Sequence, residues 1–64
     1  MIRYYTLLTI GTDGKWHPQF GDYDLEVVER ECEDEYADEL TKIITTQDNQ
    51  DAVDQRVFEL NQKH

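Results

Sequence analysis

The side chains that could carry chemistry in this chain are few: Cys32, His17, His64 and the alternating acids Asp22, Asp24 and Glu26. Serine is absent, which excludes a serine nucleophile and its triad. Cys32 lies in an apolar helical pattern one turn from Val28 and Tyr36, with Glu31 and Glu33 on either side. A reactive thiolate needs an accessible, electropositive setting, so packing is the better role for this cysteine. His17 falls on an expected strand and His64 is the last residue, and neither has the spacing of a base or a ligand. The acids from Asp22 to Glu26 alternate as in a calcium loop, but the sixth position of such a loop needs glycine and here is Val27. Helix capping explains the two aspartates instead. Gly11, Gly14 and Gly21 are too dispersed for a phosphate-binding loop. The expectation is a protein with no enzymatic activity, no cofactor and no metal.

What remains is charge. The net charge is −9, and residues 21–40 alone carry −9, with ten acids against Arg30. Residues 1–20 sum to +1 and residues 41–64 to −1. Six scattered Lys and Arg residues make no basic patch, so direct binding to nucleic acid is disfavoured. No run approaches the roughly 20 apolar residues that span a bilayer, and "MIRYYTLLTI" lacks the features of a signal peptide. A lone cysteine suits a reducing compartment, and a cytoplasmic location is expected.

The elements that must position this charge can be read from spacing. "IRYYTLLTI" and "KWHPQF" are β-branched and aromatic, and Asp13-Gly14 between them predicts a hairpin with a two-residue turn. That register pairs Gly11 with Trp16, Thr9 with Pro18 and Leu7 with Phe20, and Pro18 requires the second strand to be an edge. Leu25, Val28, Cys32 and Tyr36 recur at helical spacing, predicting a helix that begins at Asp22 or Asp24 and runs to residue 40. "TKIITT" reads as a third strand. Residues 48–64 read as a second helix capped by Asp48, with Val53, Val57 and Leu60 buried, Phe58 alongside, and Lys63 and His64 at its negative end.

The predicted fold is thus α+β, in the order β-β-α-β-α, as one domain over residues 1–64. A right-handed crossover places the strands in the order 2-1-3. At 64 residues the chain buries only about 60% of its unfolded surface, so packing or self-association must supply the stability.

Two candidate surfaces follow. The first helix turns Glu26, Glu31, Glu33, Asp34 and Asp38 outward, with Glu35 at the margin. Between Glu26 and Glu39 a helix rises roughly 20 Å at about 1.5 Å per residue. Its net −7 over that span approaches the linear charge of one B-DNA strand, about one per 3.4 Å. Such a face fits a basic partner, above all a nucleic-acid-binding protein whose site it would occupy. The second surface arises if both helices cover one sheet face: Tyr5, Leu7, Trp16 and Phe20 would then form an open apolar patch for a partner or a homodimer.

The segment "WHPQFGDYD", residues 16–24, resembles one found in short uncharacterised proteins of phages and prophages. The likeness covers only this hairpin-to-helix junction and includes no catalytic residue. It implies a mobile-element origin, where small acidic inhibitors of restriction or CRISPR nucleases are common. The leading expectation is therefore a nucleic-acid mimic. The alternative is a regulatory or dimer-forming module that docks through an aromatic sheet face.

Overall fold

Five elements follow one another: β1 (Arg3–Ile10), β2 (Trp16–Asp22), α1 (Leu25–Glu35), β3 (Thr41–Gln47) and α2 (Gln50–Asn61). They are seen in a computed structural model that describes residues 2–62; the expectation for Lys63 and His64 lies outside this range. The strands form one sheet in the order β2-β1-β3, and β1 is antiparallel to both neighbours. The most apolar strand is central, with Thr6, Leu7, Leu8 and Thr9 all buried.

Leu7 and Leu8 are each fully buried, although neighbours on a strand point to opposite faces. Both faces of the sheet are therefore covered. On the face of Leu7 and Thr9 lies α1, whose Cys32 thiol donates to the Thr41 hydroxyl at 3.3 Å; Thr41 pairs with Thr9. On the opposite face lies α2, where Val53 lines a cleft with Tyr4 and Thr6. The expectation of one covered and one open face is thus corrected. Three strands are narrow enough that one helix suffices for each side, and the apolar residues of β1 are divided between the two.

The apolar core is Leu7, Leu8, Val28, Ile44 and Val53. Among them sits a cost: the Thr6 hydroxyl is buried and has no hydrogen-bond partner among the described residues. Replacing it by a methyl of the same shape removes that desolvation penalty. Thr6→Val is expected to raise unfolding stability by about 1 kcal/mol in a urea titration. An unchanged or lower midpoint would show that the hydroxyl is satisfied in solution.

The hairpin departs from its predicted register. The connection is a three-residue loop, Thr12 to Gly14, closed by Gly11 N–H to the Lys15 carbonyl at 2.8 Å and Gly14 N–H to the Gly11 carbonyl at 3.0 Å. Of Asp13 and Gly14 the glycine alone has positive φ, at +78°, and the Asp13 carboxylate is engaged locally. It accepts from Lys15 N–H at 3.0 Å and lies 3.1 Å from His17 Nε2. The Lys15 amide, and then the His17 ring, hold the Asp13 carboxyl below its usual 3.8. A turn followed by a left-handed glycine is the common three-residue hairpin solution. Gly14→Ala meets no steric neighbour but must adopt that φ, so a loss of about 1 kcal/mol is expected on thermal melting.

The extra loop residue shifts the pairs to Ile10–Trp16, Thr9–His17 and Leu8–Pro18. A bulge then restores Leu7–Phe20, leaving Gln19 unpaired. The Gln19 amide donates to the Thr9 hydroxyl at 3.1 Å, which gives the bulged residue a partner. Trp16 moves with the register. It faces the α2 side, where the Lys42 ammonium lies 5.6 Å above its ring. Pro18 still keeps its missing N–H on the outer edge, since Leu8–Pro18 is a non-bonded pair in this alternation.

Candidate partner-binding surface

The acidic surface begins where β2 hands over to α1. The Asp22 carboxylate accepts from Asp24 N–H at 2.9 Å, and Asp24 in turn accepts from Glu26 N–H at 3.0 Å. Asp24 is therefore the N-cap, and Asp22 supports it from the strand end. Val28 is fully buried and anchors the inward side of the helix.

The helix is shorter than its periodicity predicts. It ends at Glu35, where Tyr36 takes up non-helical angles and its N–H closes on the Cys32 carbonyl at 3.0 Å. A further turn follows, closed by Glu39 N–H to the Tyr36 carbonyl at 3.0 Å. The reason is electrostatic. Glu33, Asp34 and Glu35 crowd the negative end of the helix dipole with no cation in the last turn. Continuing would have added the like-charge pairs Glu35/Glu39 and Asp34/Asp38.

The predicted binding residues are only partly brought together. Glu26, Glu33 and Asp34 are exposed and point most directly away from Val28, with Arg30 among them. Glu35 is exposed at the last turn, and Asp38 is exposed but lies beyond the helix. Glu31 is half-buried, because it sits three residues from Val28 and so shares its side of the helix. Within Leu25–Glu35 six carboxylates face Arg30 alone, a net −5 over roughly 14 Å. The charge density expected of the longer helix is kept on the shorter one.

Among the described residues none of these carboxylates is in an ion pair. The ion pairs among the described residues are Asp13–His17 and Arg56–Glu59, both remote from α1 in sequence. Arg30 is exposed and makes none. Nor do the described residues hold any group of three or more His, Cys, Asp or Glu side chains suited to a metal ion. No helix among them is long and apolar enough to cross a membrane.

The aromatic patch does not assemble as predicted. Leu7 is fully buried under α1, Tyr5 and Phe20 are half-buried on the same side, and Trp16 has moved to the other face. Large apolar side chains that remain exposed come instead from separate places, among them Leu40 after α1 and Phe58 on α2, at 64% and 61%.

One arrangement had no signal in local patterning. The Tyr23 hydroxyl donates to the Asp48 carboxylate at 2.7 Å, and its ring meets Tyr4 edge-on with centroids 5.1 Å apart. The Asp48 contact pushes the Tyr23 hydroxyl above its usual pKa, since ionising it would place two negative oxygens together. Asp48 is thereby taken from its predicted capping role. Asn49 caps α2 instead, accepting from Ala52 N–H at 2.7 Å.

Comparison with protein-family models, with curated proteins and with solved structures finds no match. The functional reading therefore rests on this chain's own surface.

Proposed function

We propose that this protein binds a basic protein through α1 and holds a row of carboxylates where that partner would otherwise hold a nucleic-acid backbone. The natural target is a nucleic-acid-binding protein, and the effect is inhibition, of the kind exercised on restriction or CRISPR nucleases in the cytoplasm of an infected cell. One observation carries this reading. The carboxylates of Leu25–Glu35 stand at the linear charge of a nucleic-acid strand and have no cationic partner among the described residues. Like charges at that spacing weaken a helix. Acidic faces that serve solubility alone interleave both signs.

The test is competitive capture. The full chain, immobilised, is exposed to bacterial lysate, and the bound proteins are eluted with duplex DNA or with salt. The expected result is a basic nucleic-acid-binding protein released by both, since exposed charges screen steeply between low and moderate ionic strength. A bound set that resists salt and DNA, or contains no basic protein, overturns the proposal.

A further inference from the structure

The two edges of the sheet are treated differently. The outer edge of β2 is blocked from Trp16 to Gln19. The Asn61 side chain accepts from Trp16 N–H at 2.7 Å and donates to the Trp16 carbonyl at 3.2 Å, Pro18 has no N–H, and the bulge at Gln19 bends the strand. These are the devices by which proteins keep an edge from pairing with another chain.

β3 has none of them. It runs seven residues without proline or bulge in its pairing with β1. Ile10 N–H donates to the Leu40 carbonyl, so alternation turns the backbone groups of Lys42, Ile44 and Thr46 toward β1. Those of Thr41, Ile43 and Thr45 point outward, and they make no backbone hydrogen bond among the described residues. The strand's one charged residue, Lys42, could guard such an edge, but its ammonium is turned inward over Trp16.

We infer that β3 pairs with β3 of a second copy, antiparallel about Ile43, to form a six-stranded sheet. The sequence is self-complementary in that register. Thr41 faces Thr45 of the other copy, Ile43 faces Ile43, and Lys42 faces Ile44, so no like charges are opposed. Residues 40–47 contain no acid, although the chain carries −9, so the repelling charge lies away from the joint. Leu40 and the half-buried Ile43 supply apolar contact beside it. A phage protein or a host protein could add a strand to the same edge, but only a second copy brings the matching Thr–Ile–Thr row by symmetry.

The dimer has a consequence for the acidic surface that does rest on the proposed function. α1 packs on β1 and β2, so two-fold pairing puts both α1 helices on the same side of the sheet, four strand spacings or about 19 Å apart. The pair would present two antiparallel rows of negative charge, as the two strands of a duplex do.

Oligomeric state is measured on the full chain with no partner present, so failure here is separate from failure of the capture experiment. Sedimentation from micromolar to millimolar concentration is expected to show a rise from 7.6 kDa to twice that mass. Thr45→Pro removes only an outward N–H, as Pro18 does on β2, and is expected to hold the mass at that of the monomer with unchanged circular dichroism. Amide exchange gives the same answer without a variant. In the concentrated protein Ile43 and Thr45 N–H are protected and lose protection on dilution, while Lys42, Ile44 and Thr46 stay protected throughout. A monomer at all concentrations, open Ile43 and Thr45 amides in the concentrated protein, or a dimer lost on Phe58→Ala instead of Thr45→Pro, overturns the inference.

Discussion

Replacing Glu33 and Glu35 together by lysine should raise the stability of the protein and remove its hold on a basic partner. The two effects share one cause. In the native helix Glu29/Glu33 and Glu31/Glu35 are like-charge pairs at i,i+4, and both glutamates lie near the negative end of the dipole. The substitutions turn each pair into a Glu-to-Lys pair in the favourable direction and put cations in the last turn. At 0.2–0.5 kcal/mol for each pair made or relieved and 0.3–1 for each charge at the terminus, less the Arg30–Glu33 pair that is lost and reversed, the gain is about 1–3 kcal/mol. For a domain of this size that is a rise of roughly 5–20 °C in Tm. Arg30 keeps Asp34 at i,i+4 but exchanges Glu33 at i,i+3 for a lysine, a cost included in that gain. Binding moves the other way, because two attractive contacts become repulsive; a loss of about 2 kcal/mol, or roughly 30-fold in affinity, is expected. Calorimetric melting and competitive capture on the same two proteins measure both. Salt adds a control. Screening should raise the melting temperature of the native chain more than that of the variant, since only the former carries the repulsion. A variant that melts lower, or is captured as well as the native protein, shows that the acidic face is neither strained nor used.

This opposition between stability and charge explains which parts of the structure were legible in the sequence. Element order, strand order and the edge position of β2 follow from signals within a few residues of each other: the apolar run of β1, the Asp-Gly turn and Pro18. The end of α1 was not legible from apolar spacing, because Tyr36 continues the stripe while the charges of the last turn oppose it. Periodicity registers the first and is blind to the second. The hairpin register slipped for a related reason. Asp-Gly fits both a two-residue and a three-residue loop, and the choice was made by contacts from Asp13 to Lys15 and His17. One residue of slip carried Trp16 to the opposite face and removed it from the predicted patch. The capping role of Asp48 failed because Tyr23, distant in sequence, claims its carboxylate. Of the acidic residues, Glu26, Glu33, Asp34 and Glu35 are exposed on the helix as predicted, whereas Glu31 is drawn partly under by its spacing from Val28.

Leu7→Ala is expected to unfold most of the protein at low concentration. Leu7 lies on the central strand, fully buried beneath α1, and it is one of only a few large side chains that no solvent reaches. Truncating a leucine at such a site costs about 2–5 kcal/mol in lost transfer energy and residual cavity. A chain of this length, at about 0.05–0.15 kcal/mol per residue, has a total stability of roughly 3–10 kcal/mol. The loss is thus comparable with the whole. Ile2→Ala, at a site that is 63% exposed, changes little and serves as the control. If β3 pairs with a second copy, the fraction of Leu7→Ala that is folded must rise with protein concentration, because association stabilises only the folded form. Thr45→Pro in the same background should abolish that rise. Urea titrations of the single and double variants at two concentrations read all of this from their midpoints. A midpoint for Leu7→Ala within a few tenths of a kcal/mol of native would mean that α1 does not seal this face. The rigid placement of the acidic helix over β1 and β2 would then be lost as well.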